Sequence, residues 1–259
     1  MKNNKTQRQI KLKSAEQILK IAEAGHIISE IFVEIKKNGL VGCSTWEIDT
    51  FIDESIIKKK ARAAFKTIEG YKYASCISLN EVVVHGHPNK KRKIKSSDIV
   101  KIDIGVSLKG FFADSCKTFT FRDTPPEAIK LTNTCEKALM NAIYAISPGK
   151  PINIIGQTIE KITHEQGFNV IKNMTGHGVG FLLHEPPTVF NFADSGDDYI
   201  LEEGLVLAIE PIITLGCGQT KKNEKSDGTW ELVTADAKLS AHFEHTIAVT
   251  EAGTILLTR

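Results

Sequence analysis

Between residues 100 and 121 the chain reads VKIDIGVSLKGFFADSCKTFTF, two aspartates set among apolar neighbours. Side chains alternate along a strand, so Val100, Ile102, Ile104 and Val106 share one face and Lys101, Asp103 and Gly105 the other. Lys109-Gly110 suits the tip of a tight hairpin. A two-residue loop sets Gly105 opposite Asp114 and Asp103 opposite Cys116; a four-residue loop from Ser107 to Gly110 sets Asp103 opposite Asp114. Either loop leaves both aspartates on one sheet face, with Cβ atoms roughly 5–8 Å apart. On an exposed face such a pair is simply solvated. Among Ile, Val and Phe it must take up a proton or hold a divalent cation.

Three further groups fit the second possibility. His177 lies in TGHGVG, where flanking glycines allow close approach of backbone to a ligand. Glu210 lies in LVLAIEPIIT and Glu244 in SAHFEHTIAVT, each inside an apolar run. A carboxylate there needs a metal, a proton, or a Lys or Arg partner. Four carboxylates and one imidazole form a hard, oxygen-rich set suited to two divalent first-row ions. Two ions roughly 3.5–4 Å apart can share a hydroxide and clamp a tetrahedral intermediate.

The elements that must position these residues are partly readable. Ser14 with Gln17, and Ser44 with Glu47, have capping-box spacing. The first precedes a helical stripe of Ile18, Leu19, Ile21, Ala22, Ile28, Ile31, Phe32 and Ile35 that Asn38-Gly39 stops; the second opens a helix to about Lys60. Apolar strand segments follow near 74–84, 98–106 and 111–121. Pro125-Pro126 starts a long helix that Pro148-Gly149 ends, and 153–166 reads as another helix with Asn153 as its N-cap. Strands follow near 205–213 and 241–249. The order helix, loop, helix, strands thus occurs twice, and Gly42, Ile48 and Ile52 sit at the same offsets as Gly149, Ile155 and Ile159. The chain reads as one domain over 1–259, with a short basic N-terminal segment 1–13 and helices outside a curved sheet.

Composition excludes several classes. The chain has 259 residues, 41% hydrophobic and 25% charged, with a formal net charge of +2. That gives no nucleic-acid groove, and the basic run Lys90, Lys91, Arg92, Lys93, Lys95 reads as a solvated loop. No apolar run approaches the roughly 20 residues that span a bilayer, and no apolar stretch follows the basic N-terminus as in a signal peptide. Five scattered cysteines without CxxC spacing point to reduced thiols in cytoplasm, not to disulfides or a thiolate zinc site.

The ordered set CISLNEVVVHGHP, DIVKIDIGVSLKGFFADSCKTF, TGHGVG, LHEPP, LAIEP and SAHFEHTIAVT resembles the type I methionine aminopeptidases of the pita-bread metallopeptidase superfamily. The resemblance implies an α+β pita-bread fold: pseudo-two-fold αβ halves, a curved antiparallel sheet and helices outside. It implies two divalent ions (Co, Mn, Fe or Zn) on Asp103, Asp114, His177, Glu210 and Glu244, with Asp114 and Glu244 bridging. Glu210 would also act as general base, His85 would contact the scissile amide or the substrate N-terminus, and His184 would stabilise the oxyanion. The implied reaction removes the first methionine, before a small second residue, from nascent polypeptides, at the ribosome exit, by a cytoplasmic monomer. The implied methionine pocket draws on His85, His184, Phe65, Ile68, Tyr71, Cys76, Leu183 and Trp230.

The chain also departs from that pattern. Relatives commonly carry Thr where Gly105 stands, Cys and Tyr at Phe65 and Ile68, Phe at Leu183 and Ile at His87. These changes bear on the pocket and leave the ligand set intact. Gly105 resembles the proline-directed branch, aminopeptidase P and prolidase, although Phe243-Glu244-His245-Thr246 does not. A non-catalytic binding member of the fold is the other alternative, one that would tend to lose ligands.

Overall fold

Two capping boxes open the first part of the chain. The Gln17 N–H donates to Ser14 Oγ while the Gln17 side chain accepts from the Ser14 N–H, and α1 (Ala15–Asn38) follows; Ser44 and Glu47 do the same for α2 (Thr45–Lys58). The computed structural model describes residues 9–194, 199–225 and 228–259. Gly39, at a φ of 78°, ends α1. The helix buries Ile21, Ile28, Ile31, Phe32 and Ile35. Leu19, expected in that stripe, is rotated away from it and 66% exposed.

Short strands β1 (Arg62–Ala63), β2 (Ser75–Leu79) and β3 (Val82–Val84) lead to the long hairpin of β4 (Val100–Leu108) and β5 (Phe111–Phe119). Helices α3 (Pro126–Ala145) and α4 (Ile154–Glu165) follow. Asn153 precedes α4 but does not cap it: its backbone is already helical, and its side chain pairs with the Asp194 backbone instead. Next come β6 (Asn169–Val170), β7 (Thr175–Gly178), β8 (Glu185–Phe190), β9 (Val206–Ile209), β10 (Ile212–Thr214), β11 (Thr220–Glu224) and β12 (Trp230–Thr234). The last strands are β13 (Ser240–His242), β14 (His245–Thr250) and β15 (Gly253–Leu256). Pairing is antiparallel throughout, with β4 between β2 and β5, and β9 between β14 and β7.

The faint sequence echo becomes a structural one. Gly42 N–H donates to the Ile94 carbonyl and Gly149 N–H to the Leu201 carbonyl, each at 2.9 Å. Ser44 bridges Lys93 just as Pro151 bridges Ile200. One sequence offset relates every residue of these two sets, and the same offset carries Asp103 onto Glu210. Each half carries an apolar core, the first completed by Val179, Val206, Ala208, Ala248 and Leu257 from the second half. Helices α1 and α2 pack on Ile102, Ile104 and Val106 in one, and α3 and α4 pack on Leu207, Ile209 and Ile247 in the other. Among the described residues no helix is long and apolar enough to cross a membrane, and all five cysteines are free.

Helix α4 lies so close to the chain beside it that Gly156 cannot accept a side chain: a Cβ there would stand 2.1 Å from the Phe192 carbonyl oxygen. Gly156→Ala should gain about 1 kcal/mol in helix propensity but lose more to overpacking, roughly 1–3 kcal/mol. The clash should win, giving a melting temperature a few degrees below wild type in thermal unfolding; an unchanged or higher value would contradict the close packing.

Candidate metal centre

The β4–β5 turn decides where the two aspartates stand. Lys109 and Gly110 have φ values of 51° and 85°, both left-handed, as a two-residue hairpin loop of this twist requires. Gly105 therefore pairs with Asp114 and Asp103 with Cys116, so the aspartates are diagonal neighbours on one face. Glu244 sits between β13 and β14, where its backbone exchanges hydrogen bonds with Cys116 and brings the second half onto β5. Glu210 follows β9, its carbonyl accepting from Asn191 Nδ2 at 2.9 Å.

His177, on β7, pairs through Nδ1 with the Gly178 carbonyl at 2.9 Å. With Nδ1 as donor, Nε2 is left to face Glu210 Oε1 at 3.5 Å. The glycines beside His177 serve strand packing, not ligand approach. A Cβ at Gly176 would lie 2.4 Å from the Ala208 carbonyl oxygen and one at Gly178 2.2 Å from that of Pro186.

Ligand atoms from these residues converge in three overlapping sets: Asp103, Asp114 and Glu244; His177, Glu210 and Glu244; and Asp114, His177 and His184, the atoms of each set within 4.8 Å of one another. Glu244 and Asp114 each belong to two sets, so either can serve two adjacent cations. His184, expected as an oxyanion donor, is thus also close enough to be a ligand. No lysine or arginine pairs with the four carboxylates among the described residues; Glu210 meets only imidazoles, His177 and, at 3.7 Å, His242 Nε2. Asp103 Oδ1, Asp114 Oδ1 and Glu244 Oε1 are buried without a hydrogen-bond partner. Hard oxygens left without a partner, beside neutral imidazoles, fit divalent first-row ions.

The electrostatics agree. Burial, ahead of repulsion from its acidic neighbours, pushes the Asp103, Glu210 and Glu244 carboxyls well above the usual range, and burial pushes Asp114 up to about 7. Burial also holds His177 and His242 down at about 3, as neutral rings. His242 escaped the sequence reading. Its signal was present in SAHFEH, where alternation places it on the side that Glu244 occupies.

A cleft of about 770 Å³ opens onto this cluster, lined by Phe65, Ile68, Tyr71, Cys76, His85, His184 and Trp230 among others. His85, at a φ of 59°, stands edge-on to Trp230 with ring centroids 4.8 Å apart, and His184 stands edge-on to His177 at 4.4 Å. Tyr71 donates to the Ser75 carbonyl and lies 3.1 Å from Cys76 Sγ. Ile68, 41% exposed, is at the rim. Leu183 does not line the cleft as expected: it is 6% exposed, packed with Phe65 and Cys76, and backs the wall from behind.

The model of metallopeptidase family M24 matches residues 19–251. The chain belongs to that family. A methionine aminopeptidase of Borreliella burgdorferi is 39% identical over 96% of this chain and 98% of its own, and one of Aquifex aeolicus is 38% identical with the same coverage. The crystal structure of the Thermotoga maritima methionine aminopeptidase superposes with a TM-score of 0.92 at 37% identity, covering 97% of this chain and all of that one. An Xaa-Pro dipeptidase from Bacillus anthracis shares the fold at a TM-score of 0.77 and 20% identity, with 62% of its chain covered.

Within this M24 chain, Gly105 and Phe65 depend on each other. A Cβ at Gly105 would come 2.9 Å from Phe65 Cε1 and 3.1 Å from Ala64 Cβ, so the buried ring fills the space a larger residue at 105 would take. Gly105→Thr should destabilise by about 1–3 kcal/mol through overpacking, and Phe65→Cys by about 3 kcal/mol through a cavity. The double variant should cost clearly less than the sum, read as a coupling of about 1 kcal/mol or more in a denaturant-unfolding cycle; additivity would show the two positions to be independent.

The raised carboxyls also set a pH dependence. In the metal-free chain they bind protons more tightly folded than unfolded. Stability contributed at low pH should therefore fall away as pH rises from the ordinary carboxyl value near 4 through about 7, where Asp114 ionises. A bound cation reverses this by favouring the ionised forms. Melting curves of metal-stripped protein should drop between pH 5 and 8, and those of metal-loaded protein should not; parallel curves would rule out a cation-compensated cluster.

Proposed function

We propose that this M24 protein is a methionine aminopeptidase that hydrolyses the first peptide bond of nascent chains beginning with methionine and a small residue. The observation that carries the reading is the convergence of Asp103, Asp114, His177, Glu210 and Glu244, with three orphaned buried oxygens, at the floor of an apolar-walled cleft. The likeness to named methionine aminopeptidases over nearly the whole chain supports the substrate.

Those five residues would hold two divalent ions, which when bound supply a nucleophile at neutral pH and a counter-charge for the developing oxyanion. The protein's own part is positional. Glu210 would take the proton of the attacking water. His184 would donate to the developing oxyanion and His85 would contact the scissile amide or the substrate amine. Phe65, Tyr71, Cys76 and Trp230 would enclose an unbranched apolar side chain, Ile68 would bound the rim, and Leu183 would support Phe65 from behind. Co, Mn, Fe and Zn all suit the donor set. We place the enzyme in cytoplasm as a monomer, acting on chains at the ribosome exit.

The test is free methionine released from Met-Ala-Ser by metal-stripped protein after adding back each ion singly. Metal-dependent release is expected, and Glu210→Ala should reduce it by at least about a hundredfold. Silence on this peptide with any ion would overturn the reading, and cleavage of an X-Pro peptide in its place would move the activity to the proline-directed branch.

A further inference from the structure

Two residues before Asp103, on the same face of β4, stands a lysine that the site chemistry does not use. Lys101 is 1% exposed, with no acidic side chain in ion-pair contact among the described residues. Its Nζ donates to the Asn80 carbonyl at 2.7 Å, the Ser240 carbonyl at 3.0 Å and Ser240 Oγ at 3.0 Å. The two carbonyls only accept, so the lysine donates to both, and the Ser240 hydroxyl completes the set. Three hydrogen bonds at one buried nitrogen satisfy it without a carboxylate partner and tie together the segments that supply them.

Its acceptors belong to different halves. Asn80 lies in the turn between β2 and β3, at a φ of 54°, and Ser240 opens β13. Ser240 also meets Asn80 directly, its N–H donating to the Asn80 carbonyl at 3.2 Å, and β5 holds β13–β14 at three further places. Thr118 meets the His242 backbone, Cys116 meets Glu244, and Asp114 meets Thr246. Ser240, His242 and Glu244 follow one another at alternate positions along that joint. What fixes Ser240 against β4 therefore helps to set the strand that delivers Glu244 to Asp103 and Asp114, alongside the bonds that Cys116 and Ser115 make to the Glu244 backbone.

We propose that Lys101 is a positioning residue for Glu244: its side-chain nitrogen, held by Asn80 of one half and Ser240 of the other, fixes β13 against β4 so that the site can take its second divalent ion. The inference rests on the two-ion reading of the cluster. Lys101 touches neither substrate nor ion; it acts through Ser240 and the strand.

The experiment titrates metal-stripped protein with cobalt(II), by calorimetry and by visible absorption, well below the melting temperature. Wild type should bind two ions. Lys101→Met, folded by circular dichroism, should bind the first ion within about threefold of wild type and the second at least tenfold more weakly, with an altered cobalt spectrum. Its kcat on Met-Ala-Ser should fall more than tenfold while KM stays within about twofold. Ser240→Ala, which removes one acceptor and leaves the carbonyl, should weaken the second ion about threefold. Unchanged second-ion affinity and spectrum in Lys101→Met would overturn the proposal even if its melting temperature drops, because a merely structural lysine would do that. Tighter binding, the result if the lysine only opposed the acidic cluster's field, would overturn it too. Should Lys101→Met fail to fold, Ser240→Ala with wild-type second-ion affinity overturns it. Wild-type protein that binds no ion would overturn the two-ion reading and this inference together.

Discussion

Four carboxylates cannot share the floor of one cleft without something to oppose their charge, and most of this structure follows from that constraint. Asp103, Asp114, Glu210 and Glu244 come from strands packed under apolar cores, where burial disfavours their ionised forms. The chain places no lysine or arginine beside them among the described residues, and the imidazoles within reach are held neutral. A cluster of this kind is a cost to the fold alone and becomes favourable only with a cation in it. The hairpin turn, the glycines behind His177 and the exchange between Cys116 and Glu244 all bring oxygens together that would otherwise repel one another.

The parts of this arrangement that depend on neighbouring residues were legible in the sequence. Both capping boxes formed because their partners lie three residues apart, and the aspartates shared a face because alternation and an even loop require it. The five candidate metal ligands could be named by type and surroundings, and the structure brings all five together. What the sequence did not carry is non-local. Strands β7, β8, β11 and β12 have too little periodicity of their own and exist through pairing. The glycines around His177 looked ligand-facing, yet the reason for them is a carbonyl on another strand. Leu183 sits beside His184 in sequence but packs against Ala64, Phe65 and Cys76, residues far away along the chain. Asn153 had the composition of a cap, but the Asp194 backbone claimed its side chain.

The cleft wall shows how such a site changes shape while its floor stays the same. Phe65 reaches over Gly105, on the same strand face as Asp103, and Leu183 fills in behind it with Cys76. Bulk at one position is matched by its absence at another, as close packing demands. Elsewhere on the wall His85 stands against Trp230, a contact that involves neither Phe65 nor Gly105.

The pseudo-two-fold relation divides the ligands unequally. Asp103 and Asp114 lie in the first half and His177, Glu210 and Glu244 in the second; the second half holds one three-donor set by itself, whereas the first completes a set only with Glu244 or with His177 and His184. The first half, with α1, α2 and the β4–β5 hairpin, presents only two of the four oxygen donors, and the two sets that use them form only once the halves have docked. A cation held by either of those sets would cross-link the two halves, so that docking and metal binding would stabilise each other.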